Sequence, residues 1–243
     1  MKPKYNNPAG RLLAIVEAAE ASKQNVPHAV WRDVFNCSDD NMAVRMMAEV
    51  HVLIADLEAD VVTHTEQPKT DLYLGFVSKV KTGLVSISHY SGKSWNDVFT
   101  SELKVGLECC AADLPTEQEI KKQEIDEIYD DLHSLMKTIR DSDLPKHLKK
   151  WLMTLLSSAK EAMDTYAIHG SRAFKKALDS IVGDCCLYQK TFPELESKGV
   201  LQRLRSFAGK VAGVASRAKR YEPLLQYAVK GTKLLTQDDG AAD

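Results

Sequence analysis

The sequence predicts an all-α fold, a multi-helix bundle with a central antiparallel helix pair and a basic C-terminal helical segment. Three observations carry that prediction. Apolar residues recur at alternating spacings of three and four along most of the chain, a period that belongs to helices and not to strands. The eight prolines, at positions 3, 8, 27, 68, 115, 145, 193 and 223, all lie outside the apolar-periodic segments. With 27% charged and 44% hydrophobic residues in 243, the chain has the balance of a folded globular protein and the length to bury a core.

Taken in order, Asn7 caps a first helix with Pro8 at its first position and Leu12, Leu13, Val16 and Ala19 along its stripe. A short helix follows from near Pro27, with Val30, Trp31, Val34 and Phe35 apolar. Ser38-Asp39-Asp40-Asn41 offers N-caps for a longer helix that turns Met46, Val50, Leu53, Leu57 and Val61 inward and stops before Pro68. From Thr70, the residues Tyr73, Phe76, Val77, Val80, Leu84 and Ile87 keep the helical spacing. Thr82–Ser88 also alternates like a strand, and helix is preferred. Ser91-Gly92-Lys93-Ser94 makes a turn, Ser94 capping a helix that carries Trp95, Val98, Phe99, Leu103, Leu107 and Cys110 and has Asp97 in its first turn.

The central pair spans Leu114 to Tyr166. Thr116 and Glu119 have the spacing of a capping box, and behind them Ile125, Ile128, Leu132, Leu135 and Ile139 form one apolar seam. The remaining positions, among them Glu124, Asp126, Glu127, Asp130 and Asp131, read as a solvated acidic face. Asp141-Ser142-Asp143-Leu144-Pro145 turns the chain, because the residue before proline is pushed out of the helical region while proline fits the start of a new helix. Leu148, Leu152, Leu155, Ala159, Ala162, Met163 and Tyr166 then make the second stripe, ended at Gly170. Gly170 to Gly183 encloses a short helix with Phe174, Ala177, Leu178 and Ile181 inward. The expected organisation is a helical domain over 1–186, a linker at 187–199, and a basic amphipathic segment with a short acidic tail over 200–243.

That last segment is the most unusual part of the chain. Between Val200 and Leu235 eight Lys and Arg stand against Glu222, an excess of seven positive charges in a chain whose total is −2. Leu204, Phe207, Ala208, Val211, Val214, Ala215 and Ala218 form a narrow stripe, so Arg203, Arg205, Lys210, Arg217, Lys219 and Arg220 are the candidate partner-binding residues. A protein partner is favoured over nucleic acid or an anionic membrane, since no stacking aromatics are interleaved with the charges and a stripe rich in Ala and Gly offers lipid little apolar area. The plainer account docks this segment by its stripe on the acidic body, with its charges solvated; oligomerisation is left open.

The opening Met1–Pro8 has no apolar core of a secretion signal, and nowhere do 18 apolar residues run together. Five cysteines, four of them in the adjacent pairs Cys109-Cys110 and Cys185-Cys186, make a poor disulfide framework and fit reduced thiols in the cytoplasm. Phosphate-loop, dinucleotide and nucleophile-elbow glycine patterns are absent, so no cofactor is expected. Gly209 and Gly213 form a Gly-x-x-x-Gly, and close packing on a partner helix fits it better than lipid burial, given Lys210 and Arg217. Asp56, Asp60 and His64, or Asp130 with His133, have helical spacings that could ligate a metal; a second ligand-bearing element is missing, and no metal is expected.

Asn7-Pro8-Ala9-Gly10-Arg11-Leu12-Leu13, together with Ser142-Asp143-Leu144-Pro145 and Tyr166-Ala167-Ile168-His169-Gly170, resembles all-helical bacterial proteins without an assigned activity, which implies a bacterial source. Arg140 and His147, with six residues between them, resemble the Arg-x(4–6)-His element of the HEPN ribonucleases. That resemblance implies a helical dimer in which the arginine stabilises phosphate charge while the imidazole moves protons. Here Pro145 lies between the two, setting them on different helices. The principal expectation is therefore a non-enzymatic protein acting by macromolecular interaction.

Overall fold

The computed structural model describes residues 3–24, 26–89, 98–188 and 199–216. Among these are ten helices and no strand: α1 Pro8–Ala21, α2 Pro27–Phe35, α3 Asp40–His64, α4 Lys69–His89, α5 Ser101–Asp113, α6 Lys122–Asp141, α7 Lys146–Asp164, α8 Tyr166–His169, α9 Ser171–Tyr188 and α10 Val200–Ser216. The segment whose alternation suggested a strand is inside α4.

Contacts group the chain into two compact units. Unit 1 comprises residues 1–116 with 167–170, and unit 2 comprises 117–166 with 171–243. The grouping differs from a boundary at 187–199, of which 189–198 lie outside the described residues.

In unit 1, α1 packs on α2, α3 and α5, and α4 on α3 and α5. Asn7 starts α1 by accepting the Gly10 N–H at 2.9 Å, while its amide donates to the carbonyls of Ala111 at 2.8 Å and Leu114 at 3.1 Å. One fully buried side chain thus caps one helix and satisfies the C-terminal carbonyls of another. Gly10 is required because an added Cβ would sit 2.0 Å from the Tyr5 carbonyl oxygen. Asp39 caps α3 by accepting the Met42 N–H at 2.9 Å. Trp31, Leu12, Ile15, Leu53, Ile54, Leu57 and Phe99 lie in the core. The expected Ser94 cap and Asp97 are outside the described residues. Thr100 is the N-cap of α5, so Phe99 enters the core from just before the helix.

In unit 2, α7 packs on α6 and α9, and α10 on α9 and α6. The expected seam of α6 is buried at Ile128, Leu132, Leu135 and Ile139, facing Leu148, Leu152, Leu155 and Leu156 of α7. Thr116 is not the N-cap. The helix begins at Lys122, with Glu124 Oε2 accepting the Lys121 N–H at 3.3 Å. The reason is tertiary: the buried Glu117 carboxylate accepts the backbone N–H of Ser171 at 3.1 Å and its hydroxyl at 2.6 Å, placing a negative charge at the start of α9. The Ile120 N–H donates to the Tyr166 hydroxyl at 3.2 Å, so the stretch before α6 is held by side chains from elsewhere in the unit. The helix α9 passes through Gly183 and does not stop there. A single glycine lowers helix stability by about 1 kcal/mol, too little to end a helix already anchored by Phe174, Ala177, Leu178 and Ile181. Gly170, at φ 59°, ends α8 as a left-handed stop.

Candidate functional site

The helices α6 and α10 of unit 2 lie antiparallel, as their cross-contacts show: Arg203 Nη1 donates to Thr138 Oγ1 at 2.9 Å, and seven residues on, Lys210 Nζ pairs with the Asp131 carboxylate. Val200, Leu204, Phe207, Ala208, Val211, Ala212 and Val214 of α10 are buried in the unit's core. The C-terminal basic helix is therefore docked by its apolar stripe as far as Val214. Residues from Arg217 onward, including the candidates Arg217, Lys219 and Arg220, lie outside the described residues.

Between the two helices runs an open groove of about 210 Å³, lined by Asp131, Ser134 and Leu135 of α6 and by Arg203, Ser206, Phe207 and Lys210 of α10. Its make-up follows from the period of the helix. Arg203, Ser206, Lys210 and Gly213 recur at three, four and three residues, and Glu124, Glu127, Asp131, Ser134 and Thr138 at three, four, three and four, so each set lies along one side of its helix. The result is a basic rail and an acidic rail with Leu135 and Phe207 between them. Arg203 and Lys210 are both exposed. Arg205, two residues from Arg203 and so on another side of α10, is half-buried. Gly209 and Gly213 are exposed, and a Cβ on either would meet nothing within 4 Å.

The remaining candidates do not assemble. Arg140 and His147 are exposed on consecutive helices, either side of the Asp141–Pro145 corner, which is closed by Lys149 Nζ on the Arg140 carbonyl at 2.8 Å. Asp56, Asp60 and His64 drift around α3: Asp56 lies 3.9 Å from Nδ1 of His169, Asp60 is buried, and His64 is exposed. Asp130 and His133 are exposed on α6, with His133 Nδ1 2.9 Å from the Tyr129 carbonyl. Among the described residues no three His, Cys, Asp or Glu groups come together to hold a metal. Cys37, Cys109 and Cys110 are free thiols. Burial pushes the Cys110 thiol up to about 12, with Asp113, Asp60 and Cys109 adding to the rise, and burial raises Cys37 as well. Neither supplies a thiolate nucleophile near neutral pH. The Cys185 and Cys186 side chains are outside the described ones.

Sequence reading missed Asp131, Ser134 and Ser206 as site residues. Ser206 could have been found from its spacing to Arg203 and Lys210; the α6 side of the groove depends on which helix α10 packs against. Sequence reading also missed His169, buried with Nε2 2.7 Å from Glu49 Oε2, a pairing between residues 120 apart in sequence.

Among the described residues no helix is long and apolar enough to cross a membrane. The fold and groove define an all-α protein with a two-rail polar face. The chain matches no protein-family model, no curated protein and no solved structure.

Proposed function

We propose that this protein works by binding another protein, and that the α6–α10 face of unit 2 is the contact surface. The observation that carries this reading is the juxtaposition of opposite charges across one groove with an apolar floor. A uniformly anionic ligand such as nucleic acid or a lipid surface gains from Arg203 and Lys210, but it must also lie along Glu124, Glu127 and Asp131. A protein segment presenting acidic groups to α10 and basic groups to α6 meets both rails with complementary charge, and such an arrangement fixes register as well as affinity. The exposed Gly209 supports the same reading: it costs a helix interior about 1 kcal/mol relative to Ala, a Cβ there would meet nothing within 4 Å, and the absence of a side chain lets a partner backbone approach α10 closely.

The test compares three probes against the full chain by fluorescence anisotropy: a helical peptide with Glu on one face and Lys on another, mixed-sequence oligonucleotides, and phosphatidylglycerol vesicles. Peptide binding that is lost in Arg203→Glu/Lys210→Glu supports the proposal. Tighter, steeply salt-dependent binding to oligonucleotides, or binding to vesicles, overturns it.

A further inference from the structure

The outer face of α3 belongs to neither the groove nor the core. Val44, Ala48, Val52, Ala55, Ala59 and Val62 recur at four, four, three, four and three residues, and all six are exposed. This is a second apolar stripe, on the side of the helix opposite Met46, Val50, Leu53, Leu57 and Val61, which are buried. The large hydrophobics most exposed among the described residues are Val26, Val44, Val52, Val62, Leu72 and Val105, and three of these fall on this one face. A helix of 25 residues carrying apolar residues on both sides along its length has somewhere to put each of them.

We propose that this face binds a second copy of the same chain, with the two α3 helices antiparallel about a two-fold axis near Leu53 and Ile54. The stripe is close to symmetric about that point. Antiparallel self-pairing sets Val44 against the second copy's Val62, Ala48 against its Ala59, and Val52 against its Ala55. Large residues then meet at the two ends, and alanines allow close approach between them. The flanking charges agree with the same register. His51 and Glu58 lie on one edge of the stripe and straddle the axis, so each faces the other's counterpart twice, Glu58 also standing 3.3 Å from Lys81 Nζ of its own chain. Arg45 comes beside Thr63 and the C-terminal carbonyls of the opposing α3, where a cation is favourable. On that edge Glu49 and Asp56 face His169 of their own chain, at 2.7 and 3.9 Å. A parallel pairing would instead bring the His51 and Glu58 edge of one helix against the Arg45, Glu49 and Asp56 edge of the other, setting Glu58 at the level of the second copy's Asp56.

The proposal is independent of the α6–α10 groove and is tested without it. Sedimentation velocity of the full chain across the micromolar range is expected to show a monomer–dimer equilibrium. Ala55→Glu, and separately Val52→Glu, should weaken it by roughly 100-fold or more, because the symmetry buries the new charge twice. Circular dichroism should show both variants folded, since each site is exposed. Val105→Glu, also at an exposed site but on α5, should leave the dimer unchanged. A wild-type chain that stays monomeric throughout overturns the proposal. So does a dimer that survives both α3 variants, or one that Val105→Glu dissociates equally well.

Discussion

The two units are built from the same kind of element but use it differently. In unit 2 the helices α6, α7 and α10 each divide into one buried stripe and one polar side: Ile128, Leu132, Leu135 and Ile139 are inside while Asp126, Glu127 and Asp130 are outside. In unit 1 that division fails. The residues Pro8 to Val16 of α1 are buried all round, Arg11 among them, and α3 is apolar on its outer side as well as its inner one. A helix between several neighbours needs no polar face, so unit 1 is held together by single buried polar groups such as Asn7 as well as by stripes. Unit 2 depends on every stripe having its opposite number.

Removal of α10 should therefore have the largest effect. A chain ending at Lys198 loses Leu204, Phe207, Val211 and Val214 from the core of unit 2, and that unit is expected to lose cooperative unfolding altogether, read by hydrogen exchange across α6, α7 and α9. A truncated chain that keeps native protection in α6 would break the comparison. Next comes Phe174→Ala, whose ring is 1% exposed and meets Tyr166 edge-on at 5.6 Å; it should destabilise unit 2 by about 3–5 kcal/mol in denaturant melts.

The matching probe of unit 1 is Asn7→Ala. It removes a cap and orphans two buried carbonyls, and so should cost about 2–4 kcal/mol. If it costs no more than an exposed substitution, the contrast drawn between the units is wrong.

How much of this was legible in the sequence follows from the same contrast. The seams of α6, α7 and α10 were readable because local period and tertiary burial agree there. The start of α6 was misplaced because the cue at Thr116 and Glu119 is local, whereas Glu117 is held by Ser171, 54 residues away. The candidates Arg203 and Lys210 could be identified from charge and stripe. The counter-rail on α6 could not, since Glu124, Glu127 and Asp131 read as an ordinary solvated face until α10 is laid beside them. The outer stripe of α3 was written in the sequence too, but the inner stripe accounts for the helix by itself and masks it.

Two smaller effects sharpen the picture. The Asp113 carboxyl is held below the usual carboxylate range by hydrogen bonds from Lys69 at 2.7 Å and from the Tyr73 hydroxyl at 2.6 Å, while Tyr73 is raised, chiefly by its own burial. A carboxyl whose value is lower folded than unfolded stabilises above about pH 4, and that contribution disappears as pH falls through its folded value. Asp113→Asn should consequently flatten the acid-side decline of Tm. Smallest of all, Gly209→Ala should raise stability by about 1 kcal/mol, since its Cβ enters open space, and should weaken partner binding all the same.

Contact between the α6–α10 groove and a protein is the proposal on which the function rests. A photo-cross-linking residue placed at Ser206 of the full chain tests this most directly, because that side chain lines the groove between Arg203 and Lys210. The expected result is a discrete protein adduct that disappears when Arg203→Glu/Lys210→Glu is added. Adducts with nucleic acid or lipid, or a protein adduct indifferent to that charge reversal, would contradict it.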